Sequence, residues 1–246
     1  MLFHTPQRKV RNFSIEMDSA NIEFVKEFNY LGITFDQNIS WKSHLIKISK
    51  KISRTIGILT KLKHLLPTHI LKMIYDTLIL PYFNYGSLVW GSCSHKLFKL
   101  QKKAIRSIAA AKYKAHTDPI FKKLNILKID DIVKLQELKF LYKLENNMLP
   151  QYFLAGDMLV RHTDIHNYGT RNAENYRVPL SKHSLVKNSI RYRLPGISNN
   201  CPTDIKQKIH THSYLGFSQY VKNYMLTRYE VFCTIPNCYT CQSKSS

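Results

Sequence analysis

From Trp41 onward the apolar residues of this chain stop alternating and begin to recur every three, four or seven positions. Trp41, Leu45, Ile48, Ile52, Ile56, Leu59 and Leu66 fall on one face of a helix. Before Trp41 the period is two, as a half-buried strand requires. Phe13, Ile15 and Met17 alternate with Ser14 and Glu16, and Ile22, Phe24 and Val25 continue toward Phe28–Asp36. The stretch from Phe28 to Asp36 reads as one short strand, with β-branched Ile33 and Thr34, and with Gly32 in its middle marking close approach by another backbone. A small antiparallel sheet or hairpin is therefore expected before Trp41, and helices after it.

The helical part has readable punctuation. Ser40 is the expected N-cap of the first helix. Pro67 ends it and sits at the first turn of a second, through Ile70, Leu71, Ile74, Tyr75 and Leu78, which Pro81 stops. An aromatic stretch, Tyr82 to Trp90, is punctuated by Gly86 and Gly91. Ser94 then caps a third helix through Leu97, Leu100, Ala104, Ile105 and Ile108. Thr117-Asp118-Pro119 opens a short helix, and Asp130 or Asp131 caps a longer one through Ile132, Leu135, Leu138, Leu141 and Tyr142. On that helix Asp131, Glu137 and Glu145 mix with Lys134, Lys139 and Lys143, the pattern of a solvated face. Beyond Pro150 the expectation is a strand pair within Tyr176–Arg193, a Pro195-Gly196 turn, a loop through Asn199 and Asn200, and one helix carrying Tyr214, Phe217, Val221, Tyr224 and Met225. The fold class is mainly α with a small β component (α+β): an N-terminal β-hairpin or small antiparallel sheet over residues 1–38, a basic helical bundle over 39–150, and a mixed C-terminal segment over 151–246.

Charge narrows the function. The 246 residues carry 37 Lys and Arg against 16 Asp and Glu, a formal charge of +21. Between Gln37 and Thr117 there are fifteen basic residues and one acid, Asp76. So one-sided a surface points to a polyanion, with RNA or DNA ahead of an anionic membrane. The candidate phosphate contacts are Lys47, Lys51 and Arg54 on the first helix and Lys99, Lys102, Lys103 and Arg106 on the third. Tyr82, Phe83, Tyr85 and Trp90 either stack on bases or pack in the core. No membrane span is expected, because Ile70 to Trp90, the most apolar stretch, contains Lys72, Asp76, Pro81 and Asn84. The first residues lack the apolar run of a signal peptide, so the expectation is an intracellular protein, in cytoplasm or nucleus and not secreted, whose five cysteines form no disulfide framework. Cys233, Cys238 and Cys241 have metal-like spacing but supply three of the four ligands that zinc takes; His210 or His212 could be the fourth, and thiols without a metal are the favoured reading.

The order of these elements resembles the reverse transcriptases of non-LTR (jockey-like, LINE-type) retrotransposons. The resemblance is carried by Tyr30-Leu31-Gly32, the Trp41-initiated basic helix, Tyr85-Gly86-Ser87-Leu88-Val89-Trp90-Gly91, Leu100-Gln101-Lys102-Lys103-Ala104-Ile105-Arg106, and His166-Asn167-Tyr168-Gly169-Thr170-Arg171-Asn172. It implies the end of the palm, the thumb and the C-terminal region of such an enzyme. Tyr30, Leu31 and Gly32 match the primer grip, and the helices from Trp41 to about Ala111 match the thumb, which holds template–primer duplex or RNA–DNA hybrid by its backbone; Arg171 adds a nucleic-acid contact. The family's two Mg²⁺ would bind palm carboxylates N-terminal to the primer grip. The residues before Phe28 do not carry that pattern, and Asp130-Asp131 lacks the preceding aromatic, so this chain is expected to bring no catalytic residue and no cofactor of its own and not to polymerise alone. Three functions follow: a nucleic-acid-binding fragment of an RNA-directed DNA polymerase, a stand-alone nucleic-acid-binding protein repurposed from the mobile element, or a remnant with no selected role.

Overall fold

A computed structural model describes residues 1–5, 14–154, 158–165, 168, 169, 171 and 173–229. Two small antiparallel sheets precede the helices. The first pairs β1 (Glu16–Met17) with β2 (Ala20–Asn21), and the second pairs β3 (Glu27–Tyr30) with β4 (Ile33–Asp36). Phe28–Asp36 is thus a hairpin and not the single strand expected. Its register sets Phe28 opposite Phe35 and Tyr30 opposite Ile33, leaving Leu31 and Gly32 as a two-residue turn. Both have positive φ, 47° and 77°, the type I′ geometry whose twist matches that of the strands it joins. Gly32 is therefore a turn residue, and what approaches it is the Tyr85 ring and not the second backbone expected. β3 is exposed throughout, whereas Ile33 and Thr34 of β4 are buried.

The helix α1 (Lys42–Leu62) follows, about 31 Å long at 1.5 Å per residue. Ser40 precedes the N-cap position, and its hydroxyl accepts the N–H of Lys42, the first residue of the helix, at 3.3 Å. Trp41 is the N-cap residue, at φ 61°, with its indole buried 5.3 Å from the Phe35 ring. The Asp36 carboxylate holds this connector by accepting from the N–H groups of Asn38 and Ser40 and from the Ser40 hydroxyl. α2 (Thr68–Leu78) starts with Pro67 as N-cap and not inside the first turn; α3 (Leu80–Asn84) and α4 (Ser87–Trp90) follow, then a 3-10 turn, Gly91–Leu97, and α5 (Phe98–Ile108). Ser94 lies in that turn and does not cap α5; its hydroxyl donates to Asp130 across the bundle.

α6 (Asp118–Lys123) leads to α7 (Ile129–Glu145), the helix against which α3, α4, α5 and the 3-10 turn pack. Its N-cap is Lys128, so Asp130 and Asp131 occupy the first turn instead, where the helix dipole favours negative charge. Glu137 is not on a solvated face. It is buried and ion-paired with Arg193, and burial, only partly countered by that arginine, raises its pKa.

After α8 (Gln151–Leu154), a 3-10 turn at His162–Asp164 and α9 (Ser184–Lys187) comes α10 (Ile190–Asn199), in place of the expected strand pair and turn. Ser189 caps α10, which continues through Pro195 and Gly196. Proline removes one helical N–H bond, and burial of Leu194, Pro195 and Ser198 offsets that loss. Asn199 is part of the helix and clasps Tyr176 by both backbone groups. α11 (Thr203–Thr211) is an additional helix, and α12 (Tyr214–Thr227) carries the expected apolar set. α10 and α12 dock on α7, and one hydrophobic cluster runs from Ile33 through the bundle to Tyr229. Among the described residues no helix is long and apolar enough to cross a membrane.

Candidate nucleic-acid interface

Where the hairpin meets α1 and α3 the surface folds into a groove of about 600 Å³. α1 supplies one wall. Its inward face, Leu45, Ile48, Ile52 and Ile56, is fixed by the core, so Lys47, Lys50, Lys51 and Arg54 are left on the outer side, at helical positions i, i+3, i+4 and i+7. Pro81, Tyr82 and Tyr85 form the opposite wall, and Asn29, Gly32 and Thr34 of the hairpin close one end. Among these lining residues there is no acid, and the described ion pairs involve none of the four cations.

Several contacts set the groove's shape. Lys47 Nζ donates to Thr34 Oγ1 at 3.1 Å, and Lys51 Nζ lies 5.6 Å from the centre of the Tyr82 ring. The Tyr85 hydroxyl donates to the Leu31 carbonyl, and the Tyr85 carbonyl accepts from the Trp90 indole at 2.9 Å. Beneath the hairpin, His44 Nδ1 accepts the Thr34 N–H at 3.2 Å. That bond requires the proton to be on Nε2, and Nε2 has no partner among the described residues. Burial, and then the charges of Lys47 and Lys51, lower the His44 pKa, so the ring is neutral near pH 7. Sequence alone gave no reason to single out His44, since it shares the apolar face with Trp41, Leu45 and Ile48 and looks like a core residue.

The predicted residues divide. Lys47, Lys51 and Arg54 come together in the groove, joined by Lys50, while of the primer-grip triplet only Gly32 lines it; Tyr30 and Leu31 are exposed beside it. Lys99, Lys102, Lys103 and Arg106 belong to α5 and do not line the groove. Lys99 and Lys103 are exposed. Lys102 covers the Phe98 ring at 4.4 Å, and Arg106 donates to the Ala115 carbonyl at 2.9 Å, which ties down the turn after α5. Arg171 is exposed and away from the groove lining. The aromatic stretch also divides, because Tyr82 and Tyr85 reach the groove whereas Phe83 and Trp90 are fully buried.

Metal ligands are a separate matter. Cys233, Cys238 and Cys241 lie outside the described residues, and among the described ones no three His, Cys, Asp or Glu side chains are grouped to hold an ion. Asp130 and Asp131 do not suit the paired-carboxylate role that Mg²⁺ needs. Asp130 takes the Ser94 hydroxyl, while Asp131 takes the Tyr229 hydroxyl and faces Lys134 at 3.9 Å. Compared with models of protein families, with curated proteins and with solved structures, the chain matches none.

Proposed function

We propose that this chain binds nucleic acid by its phosphate backbone in the groove between the β3–β4 hairpin, α1 and α3, as the primer-positioning and thumb portion of a non-LTR retrotransposon reverse transcriptase. The observation that carries the reading is the row of four cations on α1, facing a groove with no acid among its lining residues. Unneutralised cations in a concave site concentrate a polyanion and hold it without reading its sequence. The resemblance of Tyr30-Leu31-Gly32 to a primer grip supports the positioning role, since these residues form the tip of a hairpin against one end of the groove.

The test is salt-dependent binding. If all four cations contact phosphates, log K falls with log salt at a slope of about −3.6 for duplex DNA or about −2.8 for a single strand. Replacing Lys47, Lys50, Lys51 and Arg54 together by Gln should remove most of that slope and most of the affinity, measured by fluorescence anisotropy on labelled oligonucleotides. Equal affinity and slope in the variant would refute the proposal.

A further inference from the structure

We infer that the groove takes single-stranded nucleic acid, its phosphates on α1 and its bases against Tyr82 and Tyr85, and not the side of a duplex. The inference rests on the nucleic-acid reading above and adds the form of the substrate. Size comes first. A groove of about 600 Å³ has the volume of a small-ligand cleft. The cationic wall and the aromatic wall close to 5.6 Å where Lys51 lies over Tyr82, and the Lys47–Thr34 bond pins the hairpin to α1. A duplex could lay one backbone along the rim, but it keeps its bases stacked inside and has nothing to place between the walls.

The second argument is the kind of wall. Phosphate neutralisation alone needs only cations, and α5 shows what such a surface looks like, with Lys99 and Lys103 exposed on a convex helix. In the groove, by contrast, a row of cations shares the lining with two tyrosines, Tyr82 beneath Lys51 and Tyr85, which is 56% exposed and held in place through its hydroxyl. A cationic track beside aromatic faces is the arrangement that holds single strands, since every base has a π-face and stacking tolerates any sequence. Asn29, at the closed end, offers an amide to a base edge or sugar hydroxyl.

The experiment uses the full chain and three fluorescein-labelled probes: a short single strand of mixed sequence, the same strand with abasic sites in place of its bases, and a hairpin duplex. Affinities are read by anisotropy and compared at one moderate salt concentration, with a salt series run on each probe. The intact single strand should bind more tightly than either of the others, and Tyr82→Leu and Tyr85→Leu should each weaken it by about fivefold or more while leaving the abasic strand unaffected. Equal binding of the abasic strand, tighter binding of the duplex, or indifference to both tyrosine changes would overturn the inference and leave the nucleic-acid reading standing. If no probe shows salt-dependent binding, that reading falls and the inference with it. The abasic comparison needs only the unaltered protein, so it decides the matter even if a tyrosine variant misfolds.

Discussion

Gln101 lies inside a stretch whose basic neighbours invite a recognition role, yet its side chain is fully buried and is predicted to act only on stability. Its amide nitrogen donates to the Tyr75 hydroxyl and to the Leu127 carbonyl, both at 2.9 Å, and its oxygen accepts the Ile129 N–H at 2.8 Å. One residue of α5 thus satisfies groups on α2, on the segment before α7 and on the first turn of α7. Gln101→Leu keeps the approximate volume and strands three buried polar groups. At about 1–3 kcal/mol for each unsatisfied group, partial relaxation and the gain from an apolar side chain leave a net loss of about 3 kcal/mol. For a chain of this size that corresponds to a fall in Tm of about 6–12 °C. Thermal melts by circular dichroism read it, with Lys103→Leu, an exposed position on the same helix, as the control expected to stay within about 0.5 kcal/mol. Well below the melting temperature the affinity of Gln101→Leu for nucleic acid should be unchanged. A Tm equal to that of the unaltered chain, or a specific loss of binding in folded protein, would refute the structural assignment.

Other perturbations probe separate links. Gly86→Ala places a Cβ at φ 62°, 2.5 Å from the end of the Ile33 side chain; the backbone strain alone should cost about 1–2 kcal/mol, measured by urea denaturation. Glu137→Met should cost about 3–5 kcal/mol by stranding Arg193, whereas the double change Glu137→Met with Arg193→Met should recover much of it in the same assay. His44, with its pKa lowered in the folded state, binds a proton less readily there than in the unfolded chain. Stability should therefore fall as pH drops below about 6.5 toward the folded pKa, and His44→Gln should flatten that part of the profile; an identical slope in the variant would sink the assignment. On α5, Arg106→Glu should lower Tm, read by circular dichroism, through loss of the Ala115 contact.

The parts legible in advance were those that depend on local period. The helix from Trp41, the α5 face of Ala104, Ile105 and Ile108, and the α12 set Phe217, Val221 and Met225 all follow from spacing of three and four. The misreadings share a different cause, a partner far away in sequence. Pro195 and Gly196 look like a turn until α7 provides a surface on which a helix can bury Leu194 and Ser198. Glu137 looks solvated until Arg193 meets it from 56 residues away. Leu31 is not a residue that announces a left-handed turn, so Phe28–Asp36 read as continuous strand even with Gly32 beside it. In the groove Lys47, Lys51 and Arg54 were legible as cations off the apolar face, though Lys50 was not singled out with them, whereas the tyrosines were not, since Tyr82 and Tyr85 flank a fully buried Phe83 and composition cannot separate them.

That difference explains how the groove is built. The hairpin cannot position itself, because β3 is exposed along its whole length and two paired strands of four residues are marginal alone. It is held from below by Thr34, through His44 and Lys47 of α1, and at its tip by Tyr85. Tyr85 is in turn fixed by the Trp90 indole on its carbonyl, with Gly86 supplying the positive φ that lets the chain turn directly into α4. The Tyr85–Gly91 stretch thus acts as a bracket between the buried bundle and the exposed hairpin. A change at Gly86 or Trp90 should therefore shift the groove's closed end without touching a lining cation, lowering affinity while the salt slope, which counts phosphate contacts, stays nearly the same.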